Sequence, residues 1–280
     1  MADPFDLDPL YIAARRVLLD ALFALEPQGK AVIVVGAQAV YLRTGLTDGA
    51  ATIAPYTTDG DLALDPALLG DEPELAEGMR SAGFRLELPG IWHATERVAG
   101  EDVTIPVDLI VPEAASTGVG RRGARLGPHG NRAARRAVGL EAALVDHGPM
   151  TVSALDPSDD RRVTVEVAGV AALLVAKAHK IHDRVDGGRP DRLRDKDAAD
   201  VYRIMQTARP AAVRETLGDL LTNPLSAEVT QRALGYMEEL FGRRAGDGVA
   251  MAQRALRLAI DEAQIATLCV AFTGEILGML

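Results

Sequence analysis

The apolar residues Ala31-Val32-Ile33-Val34-Val35 run straight into Gly36, and that junction constrains the fold more than any other stretch of the chain. A short, unbroken apolar run that ends abruptly at a glycine reads as a strand feeding a turn and a helix. Glycine at its end allows a sharp turn and a close approach of backbone to a bound group. Ala37 to Arg43 then read as a short helix, a Gly/Thr/Ala-rich loop runs on through Pro55, and Thr57-Thr58-Asp59-Gly60-Asp61-Leu62-Ala63-Leu64 reads as an acidic strand.

The rest of the chain divides by pattern. Asp8-Pro9 is an N-cap followed by proline at N1, and the stripe from Leu10 to Leu25 gives a first helix that stops before Pro27 and Gly29. Residues 72–82 read as a helix, and 84–88, 91–98, 103–111, 150–155 and 162–167 as strands. From Gly169 onward helical patterning dominates, with helices expected at 170–185, 194–207, 211–222, 226–241 and 250–278, the last open to a break. The expected class is α+β, with a mixed sheet and flanking helices over residues 1–168 and a helical C-terminal domain over 169–280.

At 280 residues and 48% apolar composition the chain has ample material for a core, as one large domain or two modest ones. A net charge of -10 argues against broad coating of nucleic acid but leaves room for a local basic surface. Cys269 is the sole cysteine, so an intrachain disulfide is excluded and a thiolate metal site is disfavoured. The acidic N-terminus lacks the pattern of a signal peptide, and the apolar segment 265–280 carries Glu275 and is short for a bilayer, so a cytoplasmic protein without membrane contact is expected. Arginine supplies nearly all the positive charge. The lysines are Lys30, Lys177, Lys180 and Lys196, three of them within twenty residues, and a compact ammonium suits a triphosphate.

Residues i and i+2 of a strand share a face, so Asp59 and Asp61 can converge on one divalent cation. The competing interpretation of Asp59-Gly60 is a two-residue hairpin turn. Pro55 weakens it by spoiling the preceding arm. Asp108 lies mid-strand in Ile105-Pro106-Val107-Asp108-Leu109-Ile110-Val111, where an uncompensated carboxylate is costly, and it requires a metal, a role as base or a partner. Three strand carboxylates and a glycine turn before a helix are the parts of two-metal phosphoryl or nucleotidyl transfer: Asp59 and Asp61 on one Mg²⁺ (or Mn²⁺), all three acids on a second ion, and amides after Gly36 facing phosphates. Gly36, Ala37, Gln38 and Thr58 are the nearby candidates for nucleotide binding.

These features resemble the polymerase-beta-type nucleotidyltransferase superfamily. Lys177-Ala178-His179-Lys180-Ile181-His182-Asp183-Arg184 is similar to its K-L-x-A-x-x-x-R motif, and Arg194-Asp195-Lys196-Asp197-Ala198-Ala199-Asp200 matches R-x-K-D-x-x-D. Together they resemble AbiEii-type (MenT-like) nucleotidyltransferases of type IV toxin-antitoxin systems, over most of residues 32–204. The resemblance implies transfer of a nucleoside monophosphate from an NTP to an acceptor hydroxyl, catalytic roles for Asp59, Asp61, Asp108, Lys177 and Asp197, nucleotide contacts from Lys180 and Arg184, a tRNA acceptor and a cognate antitoxin. The chain departs from the family at Ala37, where a small hydroxyl or glycine is usual, at Gly60 between the two acids, at Lys180 and in the long gap from Ala37 to Asp59.

Other interpretations stay open. The alternative acceptors are a small molecule of the aminoglycoside kind or a protein, and a degenerate nucleotide-binding module without turnover would tolerate Ala37 and Gly60. Residues 114–140 contain no acidic residue and carry Arg121, Arg122, Arg125, Arg132, Arg135 and Arg136. They form either a solvated loop or the surface that grips an RNA backbone. His179 and His182 are spaced to share a transition metal but have no evident third ligand, and a helix-surface placement is the commoner one.

Overall fold

The structure, a computed structural model, describes residues 7–45, 55–116, 123–187 and 195–278. Arg121, Arg122 and Arg194 lie outside the described residues. Among those described, the chain divides into two compact units, one built from 7–42, 55–137 and 147–168 and the other from 43–45, 138–146 and 169–278. The class is α+β.

In the first unit, α1 (Pro9–Ala24) starts where Asp8 Oδ1 accepts the Leu10 amide at 2.7 Å, with proline at N1. On its inner face Val17, Leu18 and Leu19 are fully buried, each burial contributing about 1.5–3 kcal/mol. β1 (Val32–Val35) leads directly into α2 (Gly36–Thr44), and β2 is Gly60–Leu64. After α3 (Leu75–Ser81) come β3 (Arg85–Leu88), β4 (Ile91–Val98), β5 (Glu101–Pro112), β6 (Arg135–Ala137), β7 (His147–Ser153) and β8 (Arg162–Ala168). The sheet order is β3-β4-β5-β2-β1-β8-β7, with β6 pairing β5. β1 is antiparallel to β2 and parallel to β8, and β2 is parallel to β5, so the sheet is mixed and β1 lies inside it.

Asp59-Gly60 is not a hairpin turn. Gly60 opens β2, which pairs with β1 and β5 rather than with a strand just before it. α3 starts at Leu75, with Glu74 at its N-cap, later than residue 72; the proline ring at 73 disfavours helical backbone at the residue before it. Residues 123–137 differ from the solvated loop expected there. A short turn at Gly127–His129 precedes β6, and Trp92, with 0% exposure, donates Nε1–H to the Ala133 carbonyl at 2.9 Å. Trp92→Phe is expected to cost about 1–3 kcal/mol in urea unfolding, because that buried carbonyl loses its donor. An unchanged midpoint would show that the segment is not anchored through Trp92.

The second unit contains α4 (Val170–Asp186), α5 (Asp195–Thr207), α6 (Pro210–Thr222), α7 (Ala227–Phe241), α8 (Asp247–Leu256) and α9 (Glu262–Leu277). α4 packs on α7 and α5 on α8, while α9 touches α5, α6, α7 and α8. The break between α8 and α9 is set by Asp261, whose Oδ1 accepts the Ala263 and Gln264 amides as an N-cap. Cys269 is buried on α9, and burial pushes its thiol up to about 12, which keeps it protonated near neutral pH. Among the described residues no helix is long and apolar enough to cross a membrane.

Candidate active site

The acidic face of the sheet follows from strand alternation. A Cβ built on Gly60 would point at Leu18 of α1 and Val107 of β5, so the odd-numbered neighbours of Gly60 project to the face away from α1. Asp61 is on that face, and the parallel register Asp61↔Asp108 puts the two acids side by side on backbones about 4.8 Å apart. Asp59 immediately precedes β2, two residues from Asp61, and is half-buried as Asp61 is. Thr57, fully buried, donates its hydroxyl to Asp59 Oδ1, and Tyr41 of α2 holds the segment by donating to the Tyr56 carbonyl at 2.9 Å. Thr57 is therefore the threonine that touches an acid, and Thr58 is half-buried beside it.

Gly36 sits opposite this face with φ +69°, a conformation that side-chain-bearing residues rarely adopt. Val35 is in register with Asp61, and a Cβ added at Gly36 would overlap Asp61 Oδ2 and come within 2.8 Å of its Cγ. The Asp61 carboxylate thus occupies the space glycine leaves. Ala37 and Gln38 follow in α2, both buried. Gln38 turns away from the turn: its Oε1 accepts from Arg15 Nε at 2.9 Å, and Arg15 also donates to Tyr11 and to the Ser153 carbonyl. The Gln38 side chain is a brace between α2 and α1, so its oxygen is already engaged within the fold.

Asp108 has a partner. Arg135 of β6 donates to Asp108 Oδ2 from Nε at 3.1 Å and from Nη2 at 2.6 Å. Arg136 lies 3.7 Å from Glu113, whereas Arg125 and Arg132 are exposed. Among the described residues no group of three or more His, Cys, Asp or Glu side chains is gathered to hold a metal ion. The donor chemistry of Asp59 and Asp61, hard oxygens two residues apart, fits one divalent cation. A second ion shared with Asp108 would have to share that carboxylate with the guanidinium bonded to its Oδ2.

The second unit carries its own charged cluster. Lys177 of α4 is 4% exposed and bonds Asp197 of α5 at 2.7 Å, and it also bonds Asp200. Asp197 is 0% exposed and is met as well by Lys180 at 3.2 Å and by Arg184. Burial alone would lower the Lys177 pKa, but Asp197 and Asp200 outweigh it and hold the ammonium above its ordinary range. Burial would likewise raise Asp197, and Lys177, Lys180 and Arg184 hold it well below the usual carboxylate range. Lys177 is accordingly a fixed cation, not a base, and Asp197 a fixed anion. Lys180 is 40% exposed at its side chain and Arg184 22%, so these two are the cations of the cluster that reach solvent.

His179 and His182 do not share a metal. His179 is buried, its Nε2 meets the Val229 carbonyl at 2.9 Å and its ring stands edge-on to Tyr236, while the His182 ring stacks on the same tyrosine with centroids 3.7 Å apart. Burial lowers the His179 pKa and keeps the ring neutral.

Arg15 and the particular role of Arg135 escaped the sequence-level site. Arg15 lies four residues after Tyr11 on the apolar stripe of the first helix, a position that signals a buried arginine. No comparable signal marks Arg135 among the six arginines of its segment. Comparison with known proteins finds no match, either to a family model or to a curated relative.

Proposed function

We propose that the chain is a nucleotidyltransferase that moves a nucleoside monophosphate from an NTP to an acceptor hydroxyl and releases pyrophosphate. The observation that carries this reading is the join of β1 to α2 at a left-handed Gly36 directly against the Asp61 carboxylate, with Asp108 beside Asp61 in register and Asp59 just before β2. The first amides of α2 lack helical partners and offer hydrogen bonds to phosphate oxygens. Asp59 and Asp61 would hold a divalent cation such as Mg²⁺, which when bound offsets the charge of the triphosphate. Packing against Gly36 fixes the Asp61 carboxylate beside those amides, and Thr57 fixes Asp59. Attack by the acceptor hydroxyl on the α-phosphorus forms one P–O bond, breaks the bond from the α-phosphorus to the oxygen bridging to the β-phosphate, and releases pyrophosphate together with the hydroxyl proton. The exposed Arg125 and Arg132 supply positive charge for an RNA acceptor, with tRNA the acceptor the sequence resemblance favours.

A second reading, a nucleotide-binding module without turnover, is favoured by the bond from Arg135 to Asp108. Incubation with α-labelled NTP, Mg²⁺ and total RNA separates the two. Label is expected on RNA with the natural chain, and Asp61→Asn is expected to reduce transfer about 10²–10³-fold, the scale of losing a group that meets transition-state charge. Equal transfer by both proteins overturns the site. Nucleotide binding without transfer by either one selects the module.

A further inference from the structure

We infer that Arg135 is a built-in cation for Asp108, so that the nucleotide site engages a single exchangeable divalent ion, on Asp59 and Asp61, and the third carboxylate is served by the guanidinium. This inference rests on the nucleotidyltransferase reading above. Asp61 and Asp108 are neighbours in register, and two carboxylates on one face repel unless a cation lies near them. Arg135 supplies that charge through two N–H groups on the same Asp108 oxygen. Arginine stays protonated at any working pH and, unlike a metal ion, cannot dissociate from the chain.

The backbone around Arg135 is held from several directions, which marks the guanidinium as a fixed part of the site. β6 runs parallel to β5 with Ile110↔Arg135 in register, and Gly123 bridges Arg135 from the other side. The Gly90 amide donates to the Arg132 carbonyl at 2.9 Å, Trp92 donates to Ala133, and the Ala124 amide donates to Ala134. Gly90 has φ +76°, and a Cβ there would overlap the Arg135 backbone nitrogen, so the close approach of this segment depends on glycine. The side chains of Arg135 and Asp108 are 30% and 20% exposed, and an ion pair that open contributes little to folding. Its consequence is local: an Asp108 oxygen is withdrawn from any shared ion.

Mn²⁺ binding, counted by electron paramagnetic resonance with a non-hydrolysable NTP analogue present, tests this without turnover. The natural chain is expected to bind one Mn²⁺, Arg135→Lys also one, and Arg135→Gln two. Two ions on the natural chain, or one on a folded Arg135→Gln, overturns the inference. Should Arg135→Gln fail to fold, Asp108→Asn decides in its place: Mn²⁺ affinity within about twofold of the natural chain supports the inference, and weakening by about 10-fold or more, as for loss of a ligand or its direct support, overturns it. Asp61→Asn is expected to abolish Mn²⁺ binding. Failure of the natural chain to bind both Mn²⁺ and nucleotide removes the nucleotidyltransferase reading itself, an outcome distinct from a count of two.

Discussion

Gly36→Ala is expected to destabilise the first unit by about 2–5 kcal/mol and to abolish label transfer from NTP. Two costs add. The residue adopts φ +69°, and a side chain in the left-handed region costs roughly 1–2 kcal/mol. The new methyl would also overlap the Asp61 carboxylate, and forcing atoms into a filled space costs about 1–3 kcal/mol through displaced side chains and backbone. Either Asp61 rotates away or β1 and β2 separate near Val35↔Asp61, and both movements take the carboxylate from its position beside the first amides of α2. Gly29→Ala is the control, since Gly29 has nothing within 4 Å of the added Cβ; its urea midpoint is expected to move by less than about 0.5 kcal/mol. Equal midpoints for the two variants would mean that Asp61 does not pack on Gly36, and the positioning of the acid would need another explanation.

What the sequence made legible is whatever was encoded within one element. The run at Val32–Val35, its glycine and the helix after it are local and periodic, and all three form as their pattern predicts. The same holds for the alternation that puts Asp61 on one face, and for α4 and α5, whose motif spacing aligned Lys177 with Arg184 and Asp197 with Asp200. Partners distant in sequence were not legible. Asp108 announced that it needed compensation, but its partner stands 27 residues away on β6, a strand of three residues, Arg135-Arg136-Ala137, with no apolar alternation to reveal it. Pairing with β5 makes it a strand. Gln38 shows the same limit: its spacing after Gly36 suggested a phosphate contact, yet the buried Arg15, 23 residues earlier, claims its oxygen. The start of α9 was legible in principle, because Asp261 is a good N-cap placed just before a helical stripe.

Asp197→Ala is expected to cost about 3–5 kcal/mol in chemical denaturation, the range found when one partner of a buried ion pair is removed. Asp197 has 0% exposure and bonds Lys177, Lys180 and Arg184, so its loss takes the shared carboxylate from all three cations and leaves Lys177 with Asp200 alone. Lys177 suffers most, since it is buried and cannot turn to water as Lys180 can. The pH dependence has a definite sign. Asp197 is less basic in the folded protein than in the unfolded chain, so its contribution is complete above the unfolded carboxylate value of about 3.8 and is lost as pH falls toward its folded value. Lys177 is more basic when folded, so its contribution is complete below about 10.5 and is lost as pH rises from there toward its folded value. Between those limits the cluster contributes a plateau, and neutral pH lies on it. In the natural chain the urea midpoint is therefore expected to fall on acidification below about 4. Asp197→Ala should begin from a lower midpoint at neutral pH and show a shallower acid limb, because the group responsible for part of that limb is gone. An acid limb of unchanged slope in the variant would assign the loss to other carboxylates and remove Asp197 as the buried anion that holds α5 to α4.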